Sequence, residues 1–423
     1  MRGIEDKKYR WIIAVICFLT VMVGLGFCAM KSIYLKTVSE DLEITRSAFA
    51  VTEIIRYLTT AGLNLFFGTL ITKLGARKMI LIGAVSLLCA PLCSAFAQDV
   101  WLLYLGGAFL GAGLAWSTTT MVGYVIGKWF PKTRGTVLGV VLASSGLGAA
   151  LCTWLLRPVV IGERFFFGTT GWRLSYLLSA ALMLPVILLL LAFFRESPKH
   201  AEEGAAAKKR RGRQWEGMEW NEVRRKPYFY VAVVCVFFVG LCLQSANGCS
   251  VAHLEDVGLE SDYITNIASY YALTLCFAKM ITGFGYDKLG LRITMLSCLT
   301  AGTVAIYLLA MVTPETPGMA LAYELLIPFA LPMETVMLPL IAADMFGEKC
   351  FPKIMGLFVS INTAGYAAGA LLSNAVFDLV GSYKLALLVF SGILLIATVA
   401  EQLCLIPAAR DRKAILERAK NNA

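Results

Sequence analysis

The feature that most constrains this chain is a series of apolar blocks, each about 20 residues or longer, separated by short charged or Gly/Pro-rich stretches. A helix of about 20 apolar residues is long enough to cross the hydrocarbon core of a bilayer, which is roughly 30 Å thick. Hydrophobic residues make up 58% of the 423 residues and charged residues only 16%, which excludes a disordered chain and a soluble enzyme. The sequence therefore predicts an all-α, multi-pass membrane protein.

Dividing the sequence at its charged or Gly/Pro-rich stretches gives twelve predicted membrane spans, at 11–35, 46–71, 79–97, 101–127, 135–157, 172–194, 228–250, 261–284, 293–312, 317–345, 354–377 and 382–406. The longest polar stretch divides them six and six. The predicted organisation is an N-terminal six-helix lobe (1–194), a basic linker (195–227), a C-terminal six-helix lobe (228–406) and a tail (407–423).

The basic residues predict the orientation. With the N-terminus inside, 29 of the 38 Lys and Arg residues fall on the cytoplasmic side, whereas the carboxylates divide almost evenly. This asymmetry is the positive-inside rule, so we expect a cell-membrane protein with both termini and the linker in the cytoplasm. The net charge of +10 has the same origin, and no nucleic-acid partner is expected. The linker residues 208–220 suit either the anionic lipids of the inner leaflet or a solvated connection.

No metal or cofactor is expected. The twelve cysteines show no paired metal-binding or redox spacing, and most lie inside apolar blocks, where cysteine behaves as a small hydrophobe. Cys89 and Cys93 are one helical turn apart, and the histidines are limited to His200 and His253. These are too few for a His-based centre.

An internal repeat links the two halves. The segment 68–77 recurs 215 residues later as 283–292, each time between the second and third span of its half, with five identical positions. A duplicated six-helix unit explains this repeat. Duplicated halves are how many secondary carriers build a binding site between two lobes.

The twelve spans, the basic central segment and the pattern G-x-x-x-D-K-x-G-x-R resemble the major facilitator superfamily over essentially the whole chain. That resemblance implies alternating access and a gating motif whose glycines allow close helix approach and whose charged groups latch the lobes. Thr72 replaces the Asp of the first copy, so we expect a weaker latch there. The motif residues are Gly68, Lys73, Gly75 and Arg77 in the first copy, and Gly283, Asp287, Lys288, Gly290 and Arg292 in the second.

Within that superfamily the chain resembles the monocarboxylate transporters and the oxalate/formate antiporters. The supporting segments are 30–33, 127–135, 171–173, and Trp220 with 226–229. Those carriers place an Asp one turn before an Arg in the eighth helix, and here the aligned positions are Leu275 and Lys279. The basic group is thus kept and its acidic neighbour is lost. The eleventh helix offers Asn362 where the oxalate carrier has a second Lys.

Charges inside the spans are the candidate site residues, because each costs about 2.5–3.5 kcal/mol at the bilayer centre and needs a partner or a watery cavity. Lys279 lies deep in the eighth span and Lys31 in the outer half of the first. Asn64 is the repeat equivalent of Lys279 and shares a stripe with Glu53 and Thr60. We predict substrate binding by Lys31, Lys279 and Asn64, although Lys31 could instead snorkel to the interface.

Three carboxylates are candidates for proton coupling: Glu53, Glu324 and Glu334. Glu324 and Glu334 flank Pro328 and Pro332, and a proline-interrupted helix with carboxylates suits a gate or proton site. Arg56 could simply pair with Glu53 three residues earlier. Glu401, near the inner end of the last span, is expected at the interface.

The sequence thus predicts a secondary transporter of a small organic anion, a mono- or dicarboxylate, with either a proton or a counter-moving anion as partner. Two other classes stay open. One is a carrier of a drug or sugar on the same fold, although the spans hold few of the amides that sugar sites use. The other is a non-transporting membrane sensor. A membrane enzyme is disfavoured because the spans show no nucleophile with a base.

Overall fold

A computed structural model describes residues 2–26, 28, 31–161, 171–197 and 217–421. Within these residues the chain forms helices and turns and no β-strand. The part of the linker at 198–216 that was expected near anionic lipid lies outside the described residues.

Two compact units make up the chain. The first comprises Met1–Pro131 and Val140–Lys199, and the second comprises Lys132–Gly139 and His200–Ala423. The start of one long helix, Arg134–Ile161, therefore groups with the second unit while the rest of that helix belongs to the first. This helix joins the units physically.

The first unit is built on nine helices among the described residues. They are α1 (Arg2–Gly26), α2 (Lys31–Asp41), α3 (Arg46–Leu65), α4 (Phe67–Leu74), α5 (Ala76–Ala95), α6 (Val100–Ser117), α7 (Thr119–Trp129), α8 (Arg134–Ile161) and α9 (Gly171–Phe193). The first predicted span, 11–35, contains the end of α1 and the beginning of α2. Helices α3 and α4 meet at a bend of 62°.

Side-chain caps and aromatic packing fix the ends of several of these helices. Thr45 accepts a hydrogen bond from the backbone N–H of Ala48 at the start of α3, and Asp99 caps α6 in the same way. Trp172, at the start of α9, is buried against Tyr34 and donates its indole N–H to Asp41 at 3.0 Å. Helix α2 is thereby fastened to α9.

The second unit contains the remaining helices: α10 (Trp220–Val223), α11 (Pro227–Asp256), α12 (Ser261–Ala310), α13 (Pro317–Ala330), α14 (Leu338–Phe346), α15 (Phe351–Val380) and α16 (Lys384–Asn421). A π-helical turn, Met333–Met337, joins α13 to α14. Helix α12 is broken at Gly290, whose φ of 82° and ψ of 174° are not helical. Its 50 residues, at 1.5 Å each, are also far too long for one crossing.

The count of spans agrees with a twelve-helix fold. Ten helices in the described residues are long and apolar enough to cross a membrane, and the bent pair α3–α4 gives an eleventh. The break at Gly290 divides α12 into two crossings, which gives twelve. The predicted all-α membrane architecture is confirmed.

Candidate functional site

Glu334 lies in an irregular part of its crossing, between two prolines. Pro332 precedes the π-helical turn that carries Glu334, and Pro339 follows it. A proline has no backbone N–H and disrupts regular α-helical hydrogen bonding, and π-helical turns are frequent at functional sites. The crossing Pro317–Phe346 is the most buried of the candidate spans, because 78% of its apolar stretch is buried inside the protein. Glu334 itself is only 5% exposed.

The two carboxylate oxygens of Glu334 have different surroundings. Oε2 accepts a hydrogen bond of 2.7 Å from the side-chain amide of Gln244 on α11. The hydroxyl of Tyr366, on α15, lies close enough to interact with the same carboxyl group. Oε1 is buried and accepts no hydrogen bond from the described residues. A buried oxygen in this position is costly unless it binds a proton or a ligand.

Lys279, on α12, is the basic group of this cluster. It is 7% exposed, and its charge interacts with the carboxylate of Glu334 and with the thiol of Cys276. Leu275 stands where related carriers have an Asp, and here Glu334 supplies a negative charge from another helix.

Further polar groups surround the pair. Tyr271, about two helical turns before Lys279 on α12, interacts with Asn247 and with the carboxylates of Glu324 and Glu334. Glu324 is also buried, at 5% exposure. We call the set Gln244, Asn247, Tyr271, Lys279, Glu334 and Tyr366 the Lys279 cluster. It draws on α11, α12, α15 and the π-helical turn.

The first unit holds a different kind of charged pair. Arg56 donates from Nη2 and Nε to the same oxygen of Glu53, at 2.6 and 3.0 Å, and its guanidinium lies 4.0 Å from the ring centre of Tyr57. The expected pairing within α3 is therefore confirmed. The side chains of Arg56 and Glu53 are 12% and 16% exposed.

A cavity lies beside this pair, within the first unit. Its empty volume, including the solvent-filled space at its entrance, is about 700 Å³. It is lined mainly by apolar groups from α1, α3, α5, α6 and α9. Its polar lining includes Glu53, Thr52, Ser94 and Tyr176. The ring of Tyr176 stacks on Tyr34 at 4.2 Å.

Asn64 does not share that cavity. It is fully buried, donates to the backbone oxygen of Thr60 at 2.9 Å, and accepts from Thr120 at 2.9 Å. Because its amide is occupied by these bonds between α3 and α7, the geometry indicates helix packing where we expected a substrate contact. Lys31 begins α2, and its side chain lies outside the described part of the structure.

The second copy of the repeated motif surrounds the start of α8. Asp287 accepts the backbone N–H groups of Gly135 and Thr136, at 3.0 and 2.7 Å, and the hydroxyl of Thr136 at 2.7 Å. A carboxylate at a helix N-terminus is stabilised by the free N–H groups and by the helix dipole. Gly283 lies directly on the backbone of Gly135, so that a side chain at either position would collide with the other.

Two further contacts hold the same helix start. Arg134 donates to Glu348 at 2.6 Å and lies 4.7 Å from the ring centre of Phe351.

Arg292 donates to the neutral side chain of Gln402 at 3.3 Å, and Lys288 lies over the ring of Phe284. The motif residues therefore act through local bonds in the second unit.

The first copy of the motif uses a carboxylate that the motif does not contain. Thr72 bonds only to backbone oxygens of its own helix, at Gly68 and Thr69. Glu196, beyond the end of α9, instead accepts the backbone N–H of Ala76 at 3.1 Å and bonds to Lys128 at 2.7 Å. Gly75, with a φ of 76°, makes the turn.

The surroundings of Glu196 set its acidity. Burial alone would raise the pKa of Glu196, but the bonds and charge of Lys128, with the hydroxyl of Tyr124 and the N–H of Ala76, outweigh it and lower the pKa. Arg77 donates to the backbone oxygen of Leu191 at 2.8 Å, while Lys73 is exposed.

Glu401, in α16, is buried at 5% exposure, and its Oε2 has no hydrogen bond within the described residues. It faces a small space lined by apolar side chains and Cys404. Among the described residues, no three His, Cys, Asp or Glu side chains are grouped closely enough to hold a metal ion.

Local sequence reasoning missed the partners of the charged residues. Gln244, Asn247, Tyr271 and Tyr366 are polar groups inside apolar helices, and that signal could have marked them. Glu196 gave no such signal, because it follows a span in an ordinary polar stretch.

Comparison with known proteins identifies the family. The profile of the Major Facilitator Superfamily matches residues 13–254 and 234–422. An uncharacterized MFS-type transporter of Bacillus subtilis, YcxA, is 21% identical over 295 residues, which are 70% of this chain and 69% of that protein. Human monocarboxylate transporter 1 is 27% identical over 180 residues, which are 42% of this chain and only 34% of that transporter.

Solved structures show the same fold. The proton:xylose symporter XylE aligns with a TM-score of 0.72 at 12% identity, covering 93% of this chain and 95% of XylE. The Escherichia coli fucose:proton symporter FucP aligns with a TM-score of 0.71 at 13% identity, covering 94% and 99%. The chain belongs to the Major Facilitator Superfamily and is a multi-pass membrane transporter, not an enzyme.

Proposed function

We propose that this transporter carries a small organic anion, a mono- or dicarboxylate, and that the Lys279 cluster binds its carboxylate. The observation that carries the proposal is a buried lysine whose charge interacts with that of a buried glutamate, and the Oε1 of this glutamate accepts no hydrogen bond from the described residues. A charged pair inside a membrane protein is expensive to keep and marks substrate or proton sites. The partial similarity to monocarboxylate transporters supports the same class of substrate.

Binding would exchange one negative charge for another. In the empty site, the ionised carboxylate of Glu334 balances the ammonium of Lys279. When Glu334 takes up a proton, a substrate carboxylate becomes the counter-charge of Lys279, and the amide of Gln244 and the hydroxyl of Tyr366 lie within reach of the same site. The pair of charges remains balanced in both states. Net symport of proton and anion follows from this exchange.

Glu334 is the favoured proton carrier of the three predicted carboxylates. Glu53 is held by two hydrogen bonds from Arg56 on its own helix, and those bonds stabilise its ionised form. Glu324 lies in the same crossing as Glu334 without an interaction with Lys279. A counter-moving anion that competes for Lys279 would give exchange in place of symport.

The repeated motif fits the alternating-access cycle that the family implies. Asp287 fastens the start of α8 within the second unit, and α8 continues into the first. Releasing that start would allow the six-helix lobes, 1–194 and 228–406, to change their arrangement. With the linker and both termini in the cytoplasm, as the basic residues predict, the motif belongs to the inner side of the cell membrane.

The experiment combines binding and flux with purified protein. A thermal-shift screen against about a dozen mono- and dicarboxylates, with neutral sugars as the comparison, should find carboxylates that raise the unfolding midpoint. Uptake of the best ligand into proteoliposomes should follow an inward proton gradient. Lys279→Gln should weaken binding by about 10- to 150-fold, the value of one charge-assisted hydrogen bond, and Lys279→Arg should keep part of the activity.

Matched variants separate the substrate site from the coupling site. Glu334→Gln should abolish proton-driven uptake and spare counterflow exchange, whereas Glu324→Gln, in an equally buried side chain of the same crossing, should leave both intact. If Lys279→Gln transports carboxylates as well as the parent, the anion site is wrong and a neutral substrate replaces it. Ligand binding without any flux in the parent would indicate a sensor.

A further inference from the structure

A second site lies at the far end of the second unit, away from the Lys279 cluster. A crevice opens between the turn at 289–292 in α12, the end of α14 at Asp344 and Met345, and the α16 segment 405–416. Its volume is about 540 Å³, within the range of roughly 300–1,000 Å³ for clefts that hold small ligands. We call it the tail crevice.

The walls of the tail crevice are largely apolar and run onto a surface that suits lipid. Ile396, Val399, Leu403 and Ile406 follow each other at helical spacing along one face of α16 and are 70, 54, 61 and 38% exposed. Ile406, the last of them, lines the crevice. On α12, Leu289 lines the crevice and is 59% exposed. An apolar stripe therefore ends in the crevice.

The charge at the end of that stripe is positive. Of the ionisable side chains that line the crevice, Arg412 and Asp344 form an ion pair with each other. Arg292 donates to the neutral Gln402 at 3.3 Å, and Lys413 is exposed on the same helix as Arg412. Two positive charges therefore remain in excess, next to apolar walls. A water-soluble anion would match the charges but leave the walls without a partner.

We propose that the tail crevice binds the headgroup of an anionic phospholipid, with the acyl chains along the stripe from Ile396 to Ile406. Basic pockets beside membrane helices on the cytoplasmic side are suited to such headgroups. The site uses no residue of the Lys279 cluster, so it is independent of the transported substrate. A bound lipid would join α12 to the end of α16 and stabilise the second unit.

The test uses the purified full chain in a neutral detergent and measures the unfolding midpoint against added lipid. Phosphatidylglycerol should raise the midpoint more than phosphatidylcholine of the same chains. The double variant Arg292→Gln/Lys413→Gln should need about 30-fold more phosphatidylglycerol for half the effect, at about fivefold for each basic group. Lys78→Gln/Arg410→Gln removes two exposed positive charges outside the crevice and should behave as the parent.

Several results would overturn the proposal. They are equal stabilisation by phosphatidylcholine, an equal loss in the control variant, or full stabilisation by soluble glycerol phosphate, which lacks acyl chains. If the double variant unfolds without lipid, two other variants are compared for the phosphatidylglycerol effect. One is Lys413→Glu alone, at an exposed position, and the other is Arg292→Lys/Lys413→Arg, which keeps both positive charges. The first should lose the phosphatidylglycerol effect and the second should keep it. The opposite pattern is incompatible with a charge-based lipid site.

Discussion

The interaction between Lys279 and Glu334 can be measured with a double-mutant cycle. The changes are Lys279→Gln, Glu334→Gln and the two together, with the unfolding midpoint and denaturant unfolding as readouts. Each single variant removes one charge and leaves the other buried, at 7% exposure for Lys279 and 5% for Glu334. Breaking a buried pair from one side typically costs about 3–5 kcal/mol of unfolding free energy.

The double variant should cost less than the sum of the single ones, because it leaves no isolated charge. Glu334→Gln also weakens the charge-assisted bond of 2.7 Å from Gln244, but this loss is the same in the single and in the double variant and cancels in the cycle. We therefore expect a coupling energy of about 1–3 kcal/mol. At about 2–4 °C per kcal/mol for a unit of this size, that coupling is about 2–12 °C in the midpoint.

A matched cycle makes the result specific. Glu324 is as buried as Glu334, lies in the same crossing, and has no interaction with Lys279. The cycle of Lys279→Gln with Glu324→Gln should be additive within about 0.5 kcal/mol. Additivity in both cycles would refute the idea that Glu334 is the counter-charge of Lys279, and the exchange mechanism built on it would fall.

Three further predictions concern the motif, the first unit and the topology. Asp287→Asn should lower the free energy of unfolding by about 1–2 kcal/mol, because three hydrogen-bond donors lose an ionised acceptor. The control is Asp262→Asn, which removes an exposed carboxylate at the start of the same helix and should have no measurable effect on that free energy. Glu196→Gln should lower the free energy of unfolding relative to the parent at pH 7. This difference should become progressively smaller as the pH falls below 4.5, the ordinary pKa of a glutamate. The pKa of Glu196 is lowered by folding, so its stabilisation exists above that value and disappears as the acid protonates; a constant gap from pH 7 to pH 3.5 would contradict this. A reporter fused after Gly204 should be cytoplasmic and one after Glu260 external, and reversed signals would remove the proposed orientation.

The apolar blocks and the repeat predicted most of the fold, because those signals are local. Membrane-spanning helices satisfy their backbone within one segment, so composition alone locates them. Gly75 and Gly290 occupy matching positions of the repeat, and both have positive φ in the structure.

The partners of the charged residues could not be predicted, because they come from distant segments. Gln244 and Glu334 are 90 residues apart in sequence, and Ala76 and Glu196 are 120 apart. The pair of Glu53 and Arg56 could be predicted, since residues three apart on a helix are neighbours. The burial of Glu401 could not be predicted for the same reason, because burial on one face of α16 depends on helices that the local sequence does not reveal.

The two charged pairs differ in how they can respond to movement. Glu53 and Arg56 lie on one helix, so any rigid displacement of α3 carries both and leaves their bonds unchanged. Lys279 and Glu334 lie on α12 and on the π-helical turn, so a shift between these elements changes the distance between the charges. Coulomb energy varies with that distance and is large where water is excluded. Only a pair of the second kind can convert helix movement into a change in proton or anion affinity, which is why we assign coupling to Glu334 and a structural role to Glu53.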